Sequence, residues 1–408
     1  MTERTKKILF AIFFVTFSVL MGFALYWMIF GGKAPATPEP GEAEYPTGGL
    51  PTAGPGQPGV YATPTEPGAL PVIPEAVQPT APEAVSKIKL LHDGITQAVT
   101  AGTDGNGSRF YNPDDGRFYK VADDGTTVSL GDKQFFNVDT VSWANRSDQV
   151  ILEFPDGSNV NYDFAAKQQV TLPTHWEEFE FSPDDNTVVA KSMGLDPDNR
   201  FLITANPNGT EAKAIEPMGD NADLAHVAQS PNGQVIAWSE TGDPAGGEQQ
   251  QILFVGKNRE NFKSIIAPGR GFIPSWSPSG NTIMYSVRSA QSDEKPSLWV
   301  SSGDMNTLGA NRRSINLNTW ADKCAWASET VLYCGVPQNL PNYAGFSRND
   351  YATLPDDVYK VDLSTGVSTR LDLPDTTHAI RTPVVNKDGS KLTFSDAVNG
   401  KLYSYDLK

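Results

Sequence analysis

Six stretches of this chain are near copies of one another, and such internal repetition limits the possible folds more than any other property of the sequence. They read VSWANRSDQVILEF (Val141 to Phe154), FEFSPDDNTVVAKS (Phe179 to Ser192), VAQSPNGQVIAWSE (Val227 to Glu240), PSWSPSGNTIMYSV (Pro274 to Val287), CAWASETVLYCG (Cys324 to Gly335) and PVVNKDGSKLTFSD (Pro383 to Asp396). Each joins a short apolar strand to a second, alternating strand through a polar turn. Period-two alternation of this kind suits half-buried strands. One small sheet copied many times points to an all-β propeller rather than a sandwich.

The last residues of the first strands, Trp143, Phe181, Gln229, Trp276, Trp326 and Val385, are spaced by 38, 48, 47, 50 and 59 residues. Outer strands are expected at 167–172, 211–215, 262–266, 312–315 and 367–371, and the last unit has none of its own. An orphan run, KIKLL (87–91), supplies the missing strand, and a degenerate unit at 95–130 adds one more repeat. The count is therefore seven blades, closed by strands from both ends of the domain, with six blades as the alternative. Such closure removes exposed sheet edges.

The turn phrases Phe181-Ser182-Pro183-Asp184, Gln229-Ser230-Pro231-Asn232-Gly233 and Trp276-Ser277-Pro278 resemble the WD40-like repeat of Tol-type propellers over residues 86–408. The likeness is lost at Trp143-Ala144-Asn145, Trp326-Ala327-Ser328 and Val385-Asn386-Lys387. The resemblance implies a propeller making protein contacts in the cell envelope, sometimes beside a peptidase domain. It implies no catalytic residue within the repeat, where Pro, Asp, Asn and Gly serve turn geometry.

Upstream of the repeats the chain changes character twice. Residues 1–33 contain an uncharged apolar run of 23 residues, Ile8 to Phe30, long enough to span a bilayer as a helix. Arg4, Lys6 and Lys7 before it predict a cytoplasmic N-terminus, a single-pass anchor and an extracytoplasmic propeller. A cleaved signal peptide is the alternative, with Ala34-Pro-Ala36 following it. Residues 34–85 hold 13 prolines in 52 positions, a composition that builds no core and suits a stalk or passive tether. Beyond residue 33 the formal charge is −19, which disfavours nucleic acid and anionic lipid.

The two cysteines, Cys324 and Cys334, lie equally far from Glu329 at the turn of their hairpin. They face each other across antiparallel strands, and export permits their oxidation. Two buried free thiols are the alternative.

Catalytic signatures are sparse. No Gly-x-Ser-x-Gly elbow occurs, and His92, His175, His226 and His378 show no metal-ligand spacing, so neither a metal nor a cofactor is expected. Asp196-Pro-Asp198-Asn199 and Asp220-Asn-Ala-Asp223 lack the full calcium-loop pattern. Paired carboxylates at the channel mouth would support a hydrolase or lyase, but one sequence cannot show pairing across blades. The longest loops offer a better candidate. Between the second and third strands of the sixth repeat, Tyr343, Phe346, Arg348 and Tyr351 bring together the residue types that anchor interfaces. The expectation is a binding or scaffolding module for an envelope or extracellular protein, or a glycan. The alternative for the loop is packing onto its own blade.

Overall fold

The computed structural model describes residues 88–260, 262–373 and 375–407, together with Met21. Apart from Met21, the expected span Ile8–Phe30 lies outside the described residues, as does the expected tether at 34–85. Among the described residues no helix is long and apolar enough to cross a membrane.

The repeats form seven antiparallel sheets of four strands each. Blades 1 to 6 occupy residues 97–129, 140–172, 176–217, 225–267, 270–314 and 324–370, and blade 7 combines residues 380–406 with Ile88–His92. In this last blade Ile88 lies opposite Tyr405 and Leu90 opposite Tyr403. The orphan run thus completes the ring, and the seven-blade count holds over six.

Burial explains the ring. The second strands of the blades, such as Val235–Ser239 and Thr282–Arg288, are buried almost throughout because a neighbouring blade covers each side. Apolar clusters fill each gap between adjacent blades. Phe272, Ile283 and Tyr285 of blade 5 pack on Trp238, Ile252 and Phe254 of blade 4. At the seam, Leu91 and Leu402 of blade 7 meet Val99, Phe110 and Val121 of blade 1. Removing this apolar surface from water is the main favourable contribution to closure.

The repeated serine has a structural job. Ser182, Ser230 and Ser277 each accept the backbone N–H five residues on, at 3.0, 2.9 and 3.1 Å. The divergent turns keep their shape by substitution. Asn386 Oδ1 accepts the Lys391 N–H at 2.9 Å, and Ser328 Oγ accepts the Val331 N–H at 3.1 Å. In blade 2 the serine is replaced by Ala144, whose carbonyl accepts a bond from the buried Arg109 guanidinium at 2.9 Å.

Four innermost strands contain a bulge in which two residues oppose one, with Ala98, Glu178, Gly271 and Thr382 at positive φ. Such bulges re-aim side chains. Here they turn Val99, Phe179 and Phe272 into the gaps between blades.

Two outer strands are displaced from their expected positions. Blade 3 uses Lys213–Pro217 rather than 211–215, because Glu211 takes a left-handed conformation (φ 56°) at the preceding turn. Blade 4 uses Ile265–Ala267, after a turn containing Arg259 at φ 64°.

Strand order divides the connections between two faces. Links between second and third strands, and links between blades, emerge on one, which we call the loop face. The short repeated turns occupy the other. Ile88 enters and Asp406 leaves on the turn face, opposite the long loops.

Candidate binding face

The connection from Val331–Pro337 to Asp356–Asp362 in blade 6 is long, and it is held at both its base and its tip. At the base, Leu340 and Ala344 pack with Trp320, and Ile273, Tyr351 and Leu354 add to the cluster. Tyr351 is thus partly buried, in a cluster that reaches Ile273 of blade 5 rather than the loop's own blade alone. At the tip, the Tyr343 N–H donates to Asp293 O and the Gly345 N–H to Glu294 O, each at 2.8 Å, so backbone bonds fasten the loop to blade 5. Gly345 is required here, because a Cβ would sit 2.6 Å from Glu294 O and 2.8 Å from Arg288 Cβ.

The remaining candidates point outward. Tyr343 is 67 % exposed and Phe346 59 % exposed. The Arg288 guanidinium lies 3.7 Å from the Phe346 ring centroid and pairs with Glu294 at 3.1 Å. Arg348 is half-exposed, pairs with Asp322 and lies 5.8 Å from the Trp320 ring. Three of the four expected residues therefore flank solvent, on a backbone hydrogen-bonded to blade 5. Arg288 was not picked out in the sequence. Its only signal is its place at the end of a strand just before another long loop.

A second feature lies at the loop-face end of the central channel. A cleft of about 470 Å³ is lined by Asp139, Glu153, Glu177, Glu178 and Glu180, against Trp176, Phe179 and Val227. The Glu178 N–H donates to Glu153 Oε2 at 3.1 Å, and Lys191 Nζ holds Glu178 Oε1 at 2.6 Å. The Gln229 N–H and side-chain amide, from blade 4, bond Glu180 at 2.8 Å each. Burial raises the Glu153 carboxyl, and the nearby Glu178 and Glu177 carboxylates add to the rise. Burial pushes Glu180 up to about 7, against the lowering effect of the Gln229 N–H. Glu180 can therefore hold or release a proton near neutrality. The sequence could not reveal this convergence, because its members come from blades 2 and 3 with an adjoining wall from blade 4.

Among the described residues no group of three or more His, Cys, Asp or Glu has the arrangement of a metal site. His226 stacks on Trp238, and His92 packs on Phe110. Asp196 accepts the Asp198 N–H in its own short turn. Cys324 and Cys334 are directly opposed and joined by a disulfide, with their Cα atoms 4.0 Å apart.

The arrangement defines a seven-bladed β-propeller displaying an aromatic and acidic loop face. No protein family matches the sequence, and no curated protein does. Solved structures agree on the fold. The β-propeller domain of Myceliophteria thermophila Cps50 (Swd1) is 9 % identical with a TM-score of 0.54, covering 79 % of this chain and 100 % of that one. An oligogalacturonate lyase in complex with manganese is 13 % identical with a TM-score of 0.54, covering 79 % and 93 %. Kuenenia stuttgartiensis hydrazine synthase is 14 % identical with a TM-score of 0.50, covering 77 % and 96 %. At these identities the likeness concerns fold alone.

Proposed function

We propose that this protein is a binding module of the cell envelope, anchored through Ile8–Phe30, spaced by residues 34–85 and engaging a protein or glycan through its loop face. The observation that carries the reading is the exposed Tyr343–Phe346 pair on a backbone fastened to the next blade. Anchors of this kind bind well because little ordering entropy is lost on contact. The apolar N-terminal run and the likeness to Tol-type repeats support the envelope setting. The test is affinity capture by the full chain against the double variant Tyr343→Ser, Phe346→Ser. Loss of about 2 kcal/mol or more of binding, at unchanged melting temperature, is expected for an anchor pair. Equal capture by both chains would sink the assignment.

One observation favours a second reading, a hydrolase or lyase acting at the channel mouth: the raised Glu153 and Glu180 carboxyls lining a shared cleft. A neutral glycan is the first substrate to try, because the carboxylates lining the cleft repel a polyanion. Turnover abolished by Glu180→Gln would establish this reading; turnover unaffected by that change, or none at all, would remove it.

A further inference from the structure

Exposed apolar side chains are distributed unequally over the ring. On the loop face Ile95, Phe136, Leu195, Leu224 and Val398 join Tyr343 and Phe346. Leu90, Val128 and Val367 are on outermost strands, and among the described residues the turns of the opposite face expose no large apolar side chain. Isolated surface hydrophobics are ordinary, but their confinement to one face is not explained by folding.

Charge follows the same division. The loops of this face hold nineteen Asp and Glu against five Lys and Arg, whereas the opposite turns hold eleven against seven. Three of the five cations are already neutralised, Lys323 by Asp356, Arg348 by Asp322 and Lys401 by Asp93. The two features also coincide locally. Leu195 and Leu224 stand on neighbouring turns beside Asp196, Asp198, Asp220 and Asp223. An apolar tip within an acidic rim is the complement of a surface with apolar residues ringed by Lys and Arg.

We propose that the loop face as a whole docks a folded protein whose contacting surface is basic around an apolar centre. The proposal rests on the binding reading above and narrows it. The apolar spots stand on loops of blades 1, 3, 6 and 7, so one short peptide or sugar chain reaches only one or two of them. A uronic or sulfated glycan, a nucleic acid or an anionic bilayer would be repelled by this face. A stable protein interface of about 800 Å² per partner covers such a spread. The partner also approaches from the side opposite Ile88, where the tether joins.

The test places a photoreactive benzoylphenylalanine singly at Phe136, Leu195, Phe346 and Val398 of the full chain in cells of its own host, with Asn232 and Asn258 in the opposite turns as controls. The expected result is one protein crosslinked from all four loop-face positions and neither control, through segments of net positive charge. Recovery should fall about tenfold between low salt and about 0.5 M salt. Adducts from Phe346 alone would leave the binding reading standing and overturn the wider face. Adducts through acidic segments, to a glycan, or equally from the controls would overturn the proposal while binding itself survives. No adduct at any position would overturn both.

Discussion

Arg109 is only 2 % exposed, yet its guanidinium bonds the carbonyls of Ala101, Ser147 and Ala144 at 3.1, 2.8 and 2.9 Å, with Asp148 at 3.5 Å. It also lies 4.7 Å from the Trp143 ring, so one side chain braces the turn where the repeated serine is missing. Arg109→Met should leave buried carbonyls without donors and destabilise the ring by roughly 3 kcal/mol, read as a lower urea midpoint with native far-UV circular dichroism. A midpoint unchanged within error would show that the turn holds itself. Nothing in the sequence singles out Arg109, since its partners lie up to 39 residues away and depend on blades 1 and 2 being neighbours.

His378 ties the link into blade 7. Its Nδ1 is 2.8 Å from Asp396 and its Nε2 3.3 Å from Asp375, and the bond to Asp396 raises its pKa against the opposing effect of burial. A raised pKa contributes stability that is complete below the unfolded value near 6.5 and is lost as pH rises through the folded value. Asp356 behaves alike at lower pH: burial lifts it to about 6 despite Lys323 at 2.7 Å, so stability declines between pH 3.8 and about 6. Asp396 and Asp375 are lowered, so their contribution is lost only as pH falls below the ordinary carboxylate range. The melting temperature should therefore decline as pH rises past 6.5, and His378→Gln should flatten that decline. An identical slope in the variant would assign the effect elsewhere.

At the scale of elements, the hairpin Cys324–Gly335 is the best example of local legibility. Equal spacing about Glu329 predicts opposed cysteines, and they are opposed and bonded. The disulfide closes a separation of 10 residues, so Cys324→Ala with Cys334→Ala should cost ~2–3 kcal/mol, measured as a fall in melting temperature absent in reductant-treated protein. The first three strands of each blade were readable in the same way, because their alternation and turn chemistry are local. The outer strands were readable only to within three residues, since left-handed residues at Glu211 and Arg259 in the preceding turns shift those of blades 3 and 4. The candidate loop was legible in composition but not in posture. Its fastening depends on Asp293 and Glu294, some 50 residues earlier, and Tyr351 turns inward where Tyr343 does not.

At the scale of the whole molecule, Ile88–His92 carries the closure. Removing these five residues uncovers the edge of Leu402–Asp406 and takes Leu91 from the seam cluster. The shortened chain should lose its single sharp thermal transition and self-associate through the bared edge, seen by calorimetry and light scattering. A monomer with the parent's transition would show that the seam contributes little. Blade count was legible because the missing outer strand and the orphan run could be matched. The acidic channel mouth was not, because neighbouring blades meet only once the ring has formed.

Residue 88 stands opposite residue 405, so the two sides of the seam lie a strand's width apart. The order of blades is therefore cyclic, and the seam marks only where the upstream segment is attached. A few glycines joining 407 to 88, with new ends cut in the turn at Asn232 or Asn258, should give a permuted ring with the same seven gaps and the same display of Tyr343 and Phe346. In such a permutant the place where the upstream segment is attached becomes a free variable, set by whichever turn is cut.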